Sequence, residues 1–516
     1  MTLRPAAAVL VSGALGCSLV RPVQPDAPLP VAPPPQFVTE PQPAPQRGEP
    51  RGPAIENGAP RPPIDNGGGE RVSPEGQWWT AFSDPALDAL IQEALRHNFT
   101  LRDLSGLYHE DLLIPQIPRD LLWPLQIGLP VQLQRSRAGQ PQIGGTAAVP
   151  KFFLTEGDVG ITASYQVDIW GQLEVTKRNF LDLAEIQAQS AEAGAMNTAA
   201  QVAQIWFDVL TQRALLEMVQ GQIKLNEELA ALVKDRFELH LTTRLAVLQQ
   251  EQVLLNLRAE VPILTERLAL LGSQLTSVLG RPPGPYTDLV PEDRRLPQLP
   301  PQPFEGRPED LVKNSPEVRL AQVRVAEVEH RVSMNLSGWL PVFSLFGSAG
   351  IQEFDLSNLN NFDRGDSTTS FTNWAIGARL TWPIFDGGQR VTERAQLQLT
   401  VKRRNMLYQE AFYEAVRRVQ DAHLQEELQA RNVQTLRKEV ELGKTVLNEA
   451  RQLYEQGLSD YLAVLTANAN LFDLERALIL SERLLLSNRI ELYRALGGTW
   501  SRSIVESSTT EEKPHG

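Results

Sequence analysis

The stretch that decides the fold is Leu245-Ala246-Val247-Leu248, because the same four residues recur as Leu462-Ala463-Val464-Leu465. From position 245 to position 462 the spacing is 217 residues, and it also relates Val278-Leu279-Gly280 to Ala495-Leu496-Gly497. This period is far too long for a solenoid repeat and has the size of a subdomain. The sequence therefore predicts a duplicated body made of two structurally equivalent halves.

Each half is predicted to contain two strands, a very long helix, a turn and a long returning helix. The first half covers 77–280 and the second covers 308–500. A linker at 281–307 joins them, and a polar tail follows at 501–516. The fold class is therefore mainly α with a small β part.

Composition narrows the classes of function. The chain has 516 residues, a formal net charge of −13 and a pI of about 5.2. This acidity disfavours a nucleic-acid partner, which requires a basic surface. The six histidines lack metal-ligand spacing and are expected on the solvated surface, and acid pairs such as Glu426-Glu427 are expected on a solvated helix. No catalytic, metal or cofactor site is predicted.

The N-terminus has the order of a bacterial lipoprotein signal. Residues 1–16 contain one basic residue and a short apolar run, and Ala14-Leu15-Gly16-Cys17 follows. We therefore predict a signal peptide at 1–16, with Cys17 acylated at the head of a proline-rich tether over 17–76. Lipoprotein signals prefer leucine where this chain has Ala14. A plain secretory signal and a misassigned start codon are the alternatives.

Alternation of apolar and polar residues marks the strands, because successive side chains of a strand point to opposite faces. The four predicted strands lie near 124–135, 158–168, 340–351 and 373–383. Four strands cannot close a membrane barrel, so a barrel would need strands from several chains. A small sheet with one solvated face is the alternative. No run of 18 or more apolar residues occurs, so no transmembrane helix is predicted.

Two long segments lack strong helix breakers. They run from Leu173 to about Glu238 and from Arg390 to about Gln456. At a rise of 1.5 Å per residue, each would be about 100 Å long. The returning helices carry residues spaced by seven, as in coiled coils, and Pro262 should kink the first of them or remove a hydrogen bond. The seam consists of Leu254, Val261, Leu268 and Leu275 and, one repeat later, Leu471, Leu478, Leu485 and Leu492.

Turn residues stand between each long helix and its returning helix. In the second half, Gly457 suits a left-handed C-cap, and Ser459 or Asp460 can cap the next helix. In the first half, His240 takes the place of the glycine, and two threonines follow it. A histidine tolerates a positive φ at some energetic cost.

Each half also opens with a short helical segment. Asp84 or the serine before it can cap a helix that begins at Pro85. In the second half, Asn314 is expected to correspond to Asn98. Residues 103–120 contain two prolines where the second half has an uninterrupted helical pattern, so this region is expected to be reshaped.

Five motifs follow one another along residues 77–500. They are Trp78-Trp79 with Asp84-Pro85, Val167-Asp168-Ile169-Trp170-Gly171, Leu380-Thr381-Trp382-Pro383-Ile384-Phe385-Asp386-Gly387-Gly388, Tyr454-x-x-Gly457-x-x-Asp460-Tyr461-Leu462, and Leu492-Tyr493-Arg494-Ala495-Leu496-Gly497-Gly498-Thr499-Trp500. Together with the duplication and Cys17, this ordered set resembles the outer-membrane factor family, the TolC-like channels, and especially its NodT/OprM-type lipoprotein branch.

The resemblance implies a homotrimer with an α-barrel tunnel in the periplasm and a shared twelve-stranded β-barrel in the outer membrane. It implies a passive exit duct for a tripartite efflux pump or a type I secretion system, lipid-anchored in the bacterial outer membrane. The implied partners are outer-membrane lipid, a periplasmic adaptor protein and an inner-membrane pump or transporter. The alternative is a periplasmic or surface coiled-coil scaffold without channel activity, which would not need the alternating strands.

The resemblance also suggests roles for individual residues. Adaptor docking is expected at the helix tips, at His240, Thr242, Arg244, Gly457, Ser459 and Asp460. The candidates for a pore constriction are Arg244, Asp460, Ala463 and Thr466. The strand residues expected to face the lumen are Thr162, Gln166, Arg379 and Thr381. The family often has aspartates in the segment that corresponds to Leu462–Asn468, and this chain has none there, so a cation-selective ring is not predicted.

Overall fold

The computed structural model describes residues 76–113, 125–138, 152–282, 295–303, 307–357, 368–498 and 500–502. The predicted signal peptide, Cys17, the tether up to residue 75 and the tail beyond residue 502 lie outside these ranges. The chain forms two compact units, and both units draw residues from both predicted halves. The strand unit takes its described residues from 110–184 and 323–405, and the helical unit takes them from 76–109, 185–322 and 406–502. The predicted domain limits stay a prediction.

The strand unit contains one antiparallel sheet. Its strands are β1 (Gln126–Gly128), β2 (Val131–Ala138), β3 (Phe152–Val167), β4 (Val342–Ser357) and β5 (Thr368–Thr381). β3 pairs with β1 and β2 on one side and with β4 on the other, and β5 pairs with β4. β1 and β2 are two pieces of the first predicted strand, separated at Pro130, which has no N–H to donate to a ladder. β3 and β4 extend beyond their predicted bounds, and β5 begins earlier than predicted.

The register of the strands places apolar and polar side chains on opposite faces of the sheet, as their alternation in the sequence predicts. Ile161 pairs with Ala349, and Ala349 pairs with Trp374, so the three lie on one face of the sheet. The positions between them place polar and small residues on the opposite face. We call these the apolar face and the polar face.

The helices are α1 (Pro85–His97), α2 (Phe99–Leu113), α3 (Gln172–Glu238), α4 (Arg244–Val278), α5 (Leu311–Asn314), α6 (Pro316–Ser337), α7 (Gln389–Glu455) and α8 (Tyr461–Leu496). The predicted bounds of α3 and α7 are confirmed to within one residue, and each has 67 residues. α4 continues through Pro262. Among the described residues, no helix combines the length and the apolar character needed to cross a membrane.

The core of the helical unit lies around two tryptophans, one of which belongs to the first motif. Trp79 and Trp206 are fully buried, and the Trp206 Nε1 donates to the Asp84 Oδ2 at 2.9 Å. Asp84 also caps α1 by accepting from the Ala86 N–H at 3.1 Å, so Asp84 rather than Ser83 is the cap. The heptad seam contributes buried residues to this unit, including Leu275 and Leu492.

The expected correspondence between Asn314 and Asn98 is wrong by one residue. Asn98 is the extended C-cap of α1, and the extended C-cap of α5 is Ser315, which lies 217 positions after it. α2 forms a helix through residue 113, so the described part of 103–120 is helical like its counterpart α6.

Two glycines close the two halves against these caps. A Cβ on Gly280 would lie 2.2 Å from the His97 carbonyl oxygen, and one on Gly497 would lie 2.3 Å from the Asn314 carbonyl oxygen. Both glycines have a positive φ, of 73° and 76°. Only glycine fits both requirements, which explains why this position recurs in the two halves.

Two polar groups expected in solvent are buried. Glu426 accepts two hydrogen bonds of 2.6 Å from Arg489, which also donates to the Pro301 carbonyl at 2.6 Å. His330 is buried and hydrogen-bonded to Asp182. Each of these groups pairs with a partner far away in the sequence, which spacing alone does not reveal.

Candidate functional site: the helix tips and the two-faced sheet

The first tip joins α3 to α4 through a Schellman turn. The Leu241 N–H donates to the Arg236 carbonyl at 2.8 Å, and the His240 N–H donates to the Phe237 carbonyl at 2.9 Å. His240 has a φ of 58°, as predicted from its place in the turn. Thr243 then caps α4 by accepting from the Ala246 N–H at 3.3 Å.

The second tip, between α7 and α8, repeats this turn. The Leu458 N–H donates to the Leu453 carbonyl at 2.9 Å, and Gly457 has a φ of 76°. Asp460 caps α8 by accepting from the Ala463 N–H at 3.2 Å. Ser459, the alternative cap, instead donates to the Asp460 carbonyl at 3.4 Å. The predicted turn chemistry is confirmed at both tips.

Arg236 brings the two tips together. Its Nη1 donates to the Glu455 carbonyl at 3.0 Å, and its guanidinium carbon lies 4.7 Å from the centroid of the Tyr454 ring. Tyr454 in turn packs edge-to-face on Tyr461, with ring centroids 5.6 Å apart. Arg236 is not among the predicted site residues, because nothing in its local sequence pattern distinguishes it from a solvated helix residue.

Exposed leucines surround both turns. Leu458 is 72% exposed and Leu239 is 68% exposed, although both sit in ordered helix-turn-helix structure. The other exposed leucines of the tips are Leu241, Leu245 and Leu462. A cluster of exposed apolar side chains on a rigid turn is typical of a surface that binds another protein. Their placement beside the cap residues is a signal that the sequence analysis could have used.

The four constriction candidates lie at the start of the returning helices. Arg244, Asp460, Ala463 and Thr466 are all exposed. The carboxylate of Asp460 is engaged in capping, and the Thr466 hydroxyl donates to the Leu462 carbonyl at 2.8 Å. Nothing in the structure tests whether they narrow a pore, so that role stays a prediction. Thr242 is half-buried beside them.

A buried polar cluster lies behind the second tip. The Gln250 side chain donates to the Asn226 carbonyl at 2.8 Å and accepts a hydrogen bond from the Tyr461 hydroxyl. Asn468 donates to the Asn226 Oδ1 at 3.0 Å. Burial, and secondarily the nearby Tyr454, raises the pKa of Tyr461, so its hydroxyl stays protonated and available as a donor. The cluster joins α3, α4 and α8.

In the strand unit, the four predicted lumen residues share the polar face. Gln166 pairs with Ser344, which pairs with Arg379, so a line of polar side chains crosses three strands. Thr162 and Thr381 fall on the same face by the same register. The structure thus brings these predicted residues together, while their position in a lumen remains a prediction.

The apolar face of the same sheet is exposed in the part of the chain that the structure describes. Ile376 is 82% exposed and Trp374 is 78% exposed. The other exposed residues of this face include Ile127, Val131, Leu133, Val159, Ile161, Leu345, Ile351 and Leu380. This apolar face is therefore a surface made to contact something other than water. No cluster of metal-binding side chains occurs in the described part of the chain.

Comparisons with known proteins agree with these features. Residues 308–498 match the model of the family described as outer membrane efflux protein. The probable efflux pump outer membrane protein SepC of Pseudomonas putida is 26% identical over 445 residues, which cover 84% of this chain and 88% of SepC. Nodulation protein T of Rhizobium leguminosarum bv. trifolii is 23% identical over 411 residues, covering 76% of this chain and 81% of that protein.

The fold comparison covers both halves of the chain. The solved outer-membrane channel OprN superposes with a TM-score of 0.72 at 20% identity, covering 84% of this chain and 94% of the channel. This likeness extends to the strands and helices that the family match leaves out. The match over residues 308–498, the curated relatives and the shared fold together make this chain similar to the outer membrane efflux proteins.

Proposed function

We propose that this protein is the passive outer-membrane exit duct of a tripartite efflux pump. The observation that carries the proposal is the sheet with one polar face and one exposed apolar face. A scaffold protein has no use for such a sheet, whereas a channel wall needs water on one face and lipid on the other. The efflux-pump names of the curated relatives support the same function.

The sheet also has two open edges. Within the described residues, β5 pairs on one side only, as do β1 and β2. An open edge with an exposed apolar face tends to pair with another chain, and the strands of one copy are too few to close around a lumen. With β1 and β2 counted as the two pieces of one strand, three copies would supply a closed twelve-stranded barrel and satisfy every edge, which is the basis of our proposal of a homotrimer in the outer membrane.

The helical unit supports lateral assembly in the same way. Two helices carry exposed apolar residues at intervals close to a heptad, and such stripes are covered when helices pack side by side. On α4 they are Leu248, Leu255, Ile263 and Leu270, spaced by seven or eight residues, and on α7 they are Val446 and Leu453, spaced by seven. We propose that these stripes are covered by neighbouring copies in an α-barrel tunnel.

The tips are the proposed docking site for a periplasmic adaptor protein, which would connect the duct to an inner-membrane pump. The exposed leucines supply apolar contact area. Charged groups of opposite sign stand beside them, Arg244 at the first tip and Asp460 at the second. Acylation of Cys17 would add a lipid anchor to the membrane attachment of the barrel.

The test compares the parent with two matched variants. For each, it measures the mass of the detergent-extracted particle and the amount of protein in the outer-membrane fraction. Ile376→Lys places a charge on the apolar face, and Ala375→Lys places the same charge one residue away on the polar face. Light scattering in detergent, with the detergent contribution subtracted, should give three chains for the parent and for Ala375→Lys in the outer-membrane fraction. Ile376→Lys should be depleted from that fraction, because lysine on a lipid-facing strand is strongly unfavourable. A monomer or dimer released without detergent, or equal behaviour of both variants, would contradict the proposal.

A further inference from the structure

Arg379 is the one charged side chain on a long stretch of the polar face. The described residues of that face over 160–166, 344–350 and 373–381 are otherwise glycine, alanine, serine, threonine, asparagine, glutamine and phenylalanine. The Arg379 side chain is exposed rather than buried. An exposed charge on an otherwise neutral surface sets the electrostatic potential in the water beside it.

The guanidinium of Arg379 is held in place by an aromatic ring. Its central carbon lies 5.2 Å from the centroid of the Phe346 ring, within the range of a cation–π contact. Gly377 makes room for that ring, because a Cβ on Gly377 would lie 2.7 Å from the Phe346 Cζ. The arrangement orients the side chain without neutralising its charge.

The carboxylate of Asp168, two residues beyond Gln166, is engaged by the backbone N–H groups of Gln172 and Leu173, at 2.8 and 3.1 Å. No ion pair between Arg379 and an acidic side chain occurs in the described part of the chain. The acidic residues of the polar face, Glu156 and Asp158, lie at the other end of β3, and Glu156 accepts a hydrogen bond from Gln352. Gln166 is the residue of β3 in line with Arg379, and Asp158 is eight residues from it. At 3.3 Å per residue, Asp158 therefore lies about 26 Å along the strand from the line that contains Arg379. That exceeds the Debye length of about 8 Å at physiological ionic strength.

We propose that Arg379 is a selectivity residue of the duct, which concentrates anionic solutes such as carboxylates and depletes cations where the sheet meets the helices. The inference rests on the proposed function, because it requires the polar face to line water. Rings of arginine or lysine are a general means of favouring anions in pores. Three copies of Arg379 around one lumen would form such a ring.

The test measures the local potential with a cysteine at Gln166. Two strand spacings place position 166 about 10 Å from position 379. The Gln166→Cys variant would be reacted with an anionic and a cationic thiol reagent of similar size. Each reaction rate is divided by the rate of the same reagent with a free thiol, and the readout is the ratio of the anionic to the cationic value. The parent chain, which keeps Cys17, gives the background. At 0.01 M salt the anionic reagent should be favoured about three-fold, and at 1 M salt the preference should vanish.

Three variants in the Gln166→Cys chain decide the outcome. Arg379→Gln should bring the ratio to about one, and Arg379→Lys should keep it above one. Arg135→Gln is the matched control, because the register places Arg135 on the opposite face of the sheet. An unchanged ratio in Arg379→Gln would overturn the selectivity role and leave the duct intact as a hypothesis. If neither reagent reacted at position 166 above background, the polar face would not line water, and the proposed function would fail together with the inference.

Discussion

The two tips have the same backbone and different side chains. Each closes through the same pair of Schellman hydrogen bonds, although His240 stands at one and Gly457 at the other. The residue that follows the cap also differs between the tips. It is the exposed Arg244 at the first tip and the buried Tyr461 at the second. The two turns therefore keep the same backbone hydrogen bonds and a capping side chain at the start of the returning helix, while the other side chains make the two halves different.

The same contrast extends into the helices. Asn226 belongs to the buried polar cluster, and the residue 217 positions later is Gly443, whose Cβ would meet Leu471 and Leu474 at 3.3 Å. Glu426 is paired with Arg489, and the residue 217 positions earlier than Glu426 is the buried Val209. Duplication thus preserved the helices while polar and apolar contacts were redistributed between the halves.

The largest expected effect is at the buried ion pair of the second half. Glu426→Ala should lower the free energy of unfolding by about 3–5 kcal/mol, because it leaves the Arg489 guanidinium buried without its carboxylate. Val209→Ala, at the equivalent position of the first half, should cost about 1–3 kcal/mol as a cavity. Denaturant midpoints in detergent, followed by circular dichroism, would measure both. Equal losses would show that the two halves do not differ here in the way the contacts indicate.

The polar cluster gives the next largest effect. Asn226→Leu should cost about 2–4 kcal/mol, since Asn468 loses its Oδ1 acceptor and the Gln250 Nε2 keeps only its bond to the residue 226 carbonyl. Gly443→Ala is the comparison in the other half, where the new methyl group meets flexible leucine side chains and should cost less than about 1 kcal/mol. The same denaturation experiment applies. A tolerated Asn226→Leu would mean that the cluster adds no stability over an apolar contact.

Exchange of the two tip residues should change the free energy of unfolding by smaller amounts, with opposite signs at the two tips. His240→Gly should stabilise the first turn and Gly457→His should destabilise the second, each by about 1 kcal/mol, because only glycine adopts a positive φ without steric cost. The sum of the two changes in the double variant should be near zero. Thermal melting of the three variants would show this, and two shifts of the same sign would contradict it.

The smallest effect concerns pH. Glu192 is buried, and desolvation raises its pKa even though the nearby Arg319 acts in the other direction. A raised pKa in the folded state means that the folded protein binds the proton more readily, so this group stabilises most below pH 4.5 and loses that contribution as pH rises. Glu192→Gln, which copies Gln409 of the second half, should remove that slope, worth below about 1 kcal/mol. Melting curves between pH 4 and 7 would detect it, and an unchanged slope would contradict it.

Local patterns sufficed to predict the regular structure. The absence of breakers located α3 and α7, and the alternation through Ile161 and Ile376 predicted the two faces that the register confirms. The turn residues were readable because a left-handed cap needs a narrow set of side chains. Contacts between distant segments were not readable. Arg236 binds a carbonyl 219 residues away, and Arg489 binds Glu426 63 residues away, and neither has a local signature.

The sheet has a consequence for biogenesis. Under the proposed assembly, a single copy would present the open edges of the described sheet and its apolar face before it meets other copies, and such intermediates aggregate readily. Formation of a closed particle from several chains depends steeply on their concentration, whereas misassociation needs only two. The proposed assembly would therefore require either an escort that shields β5 and the apolar face or delivery of copies to one place in quick succession. The yield of assembled protein should then be governed by the kinetics of encounter and not by the stability of the finished particle.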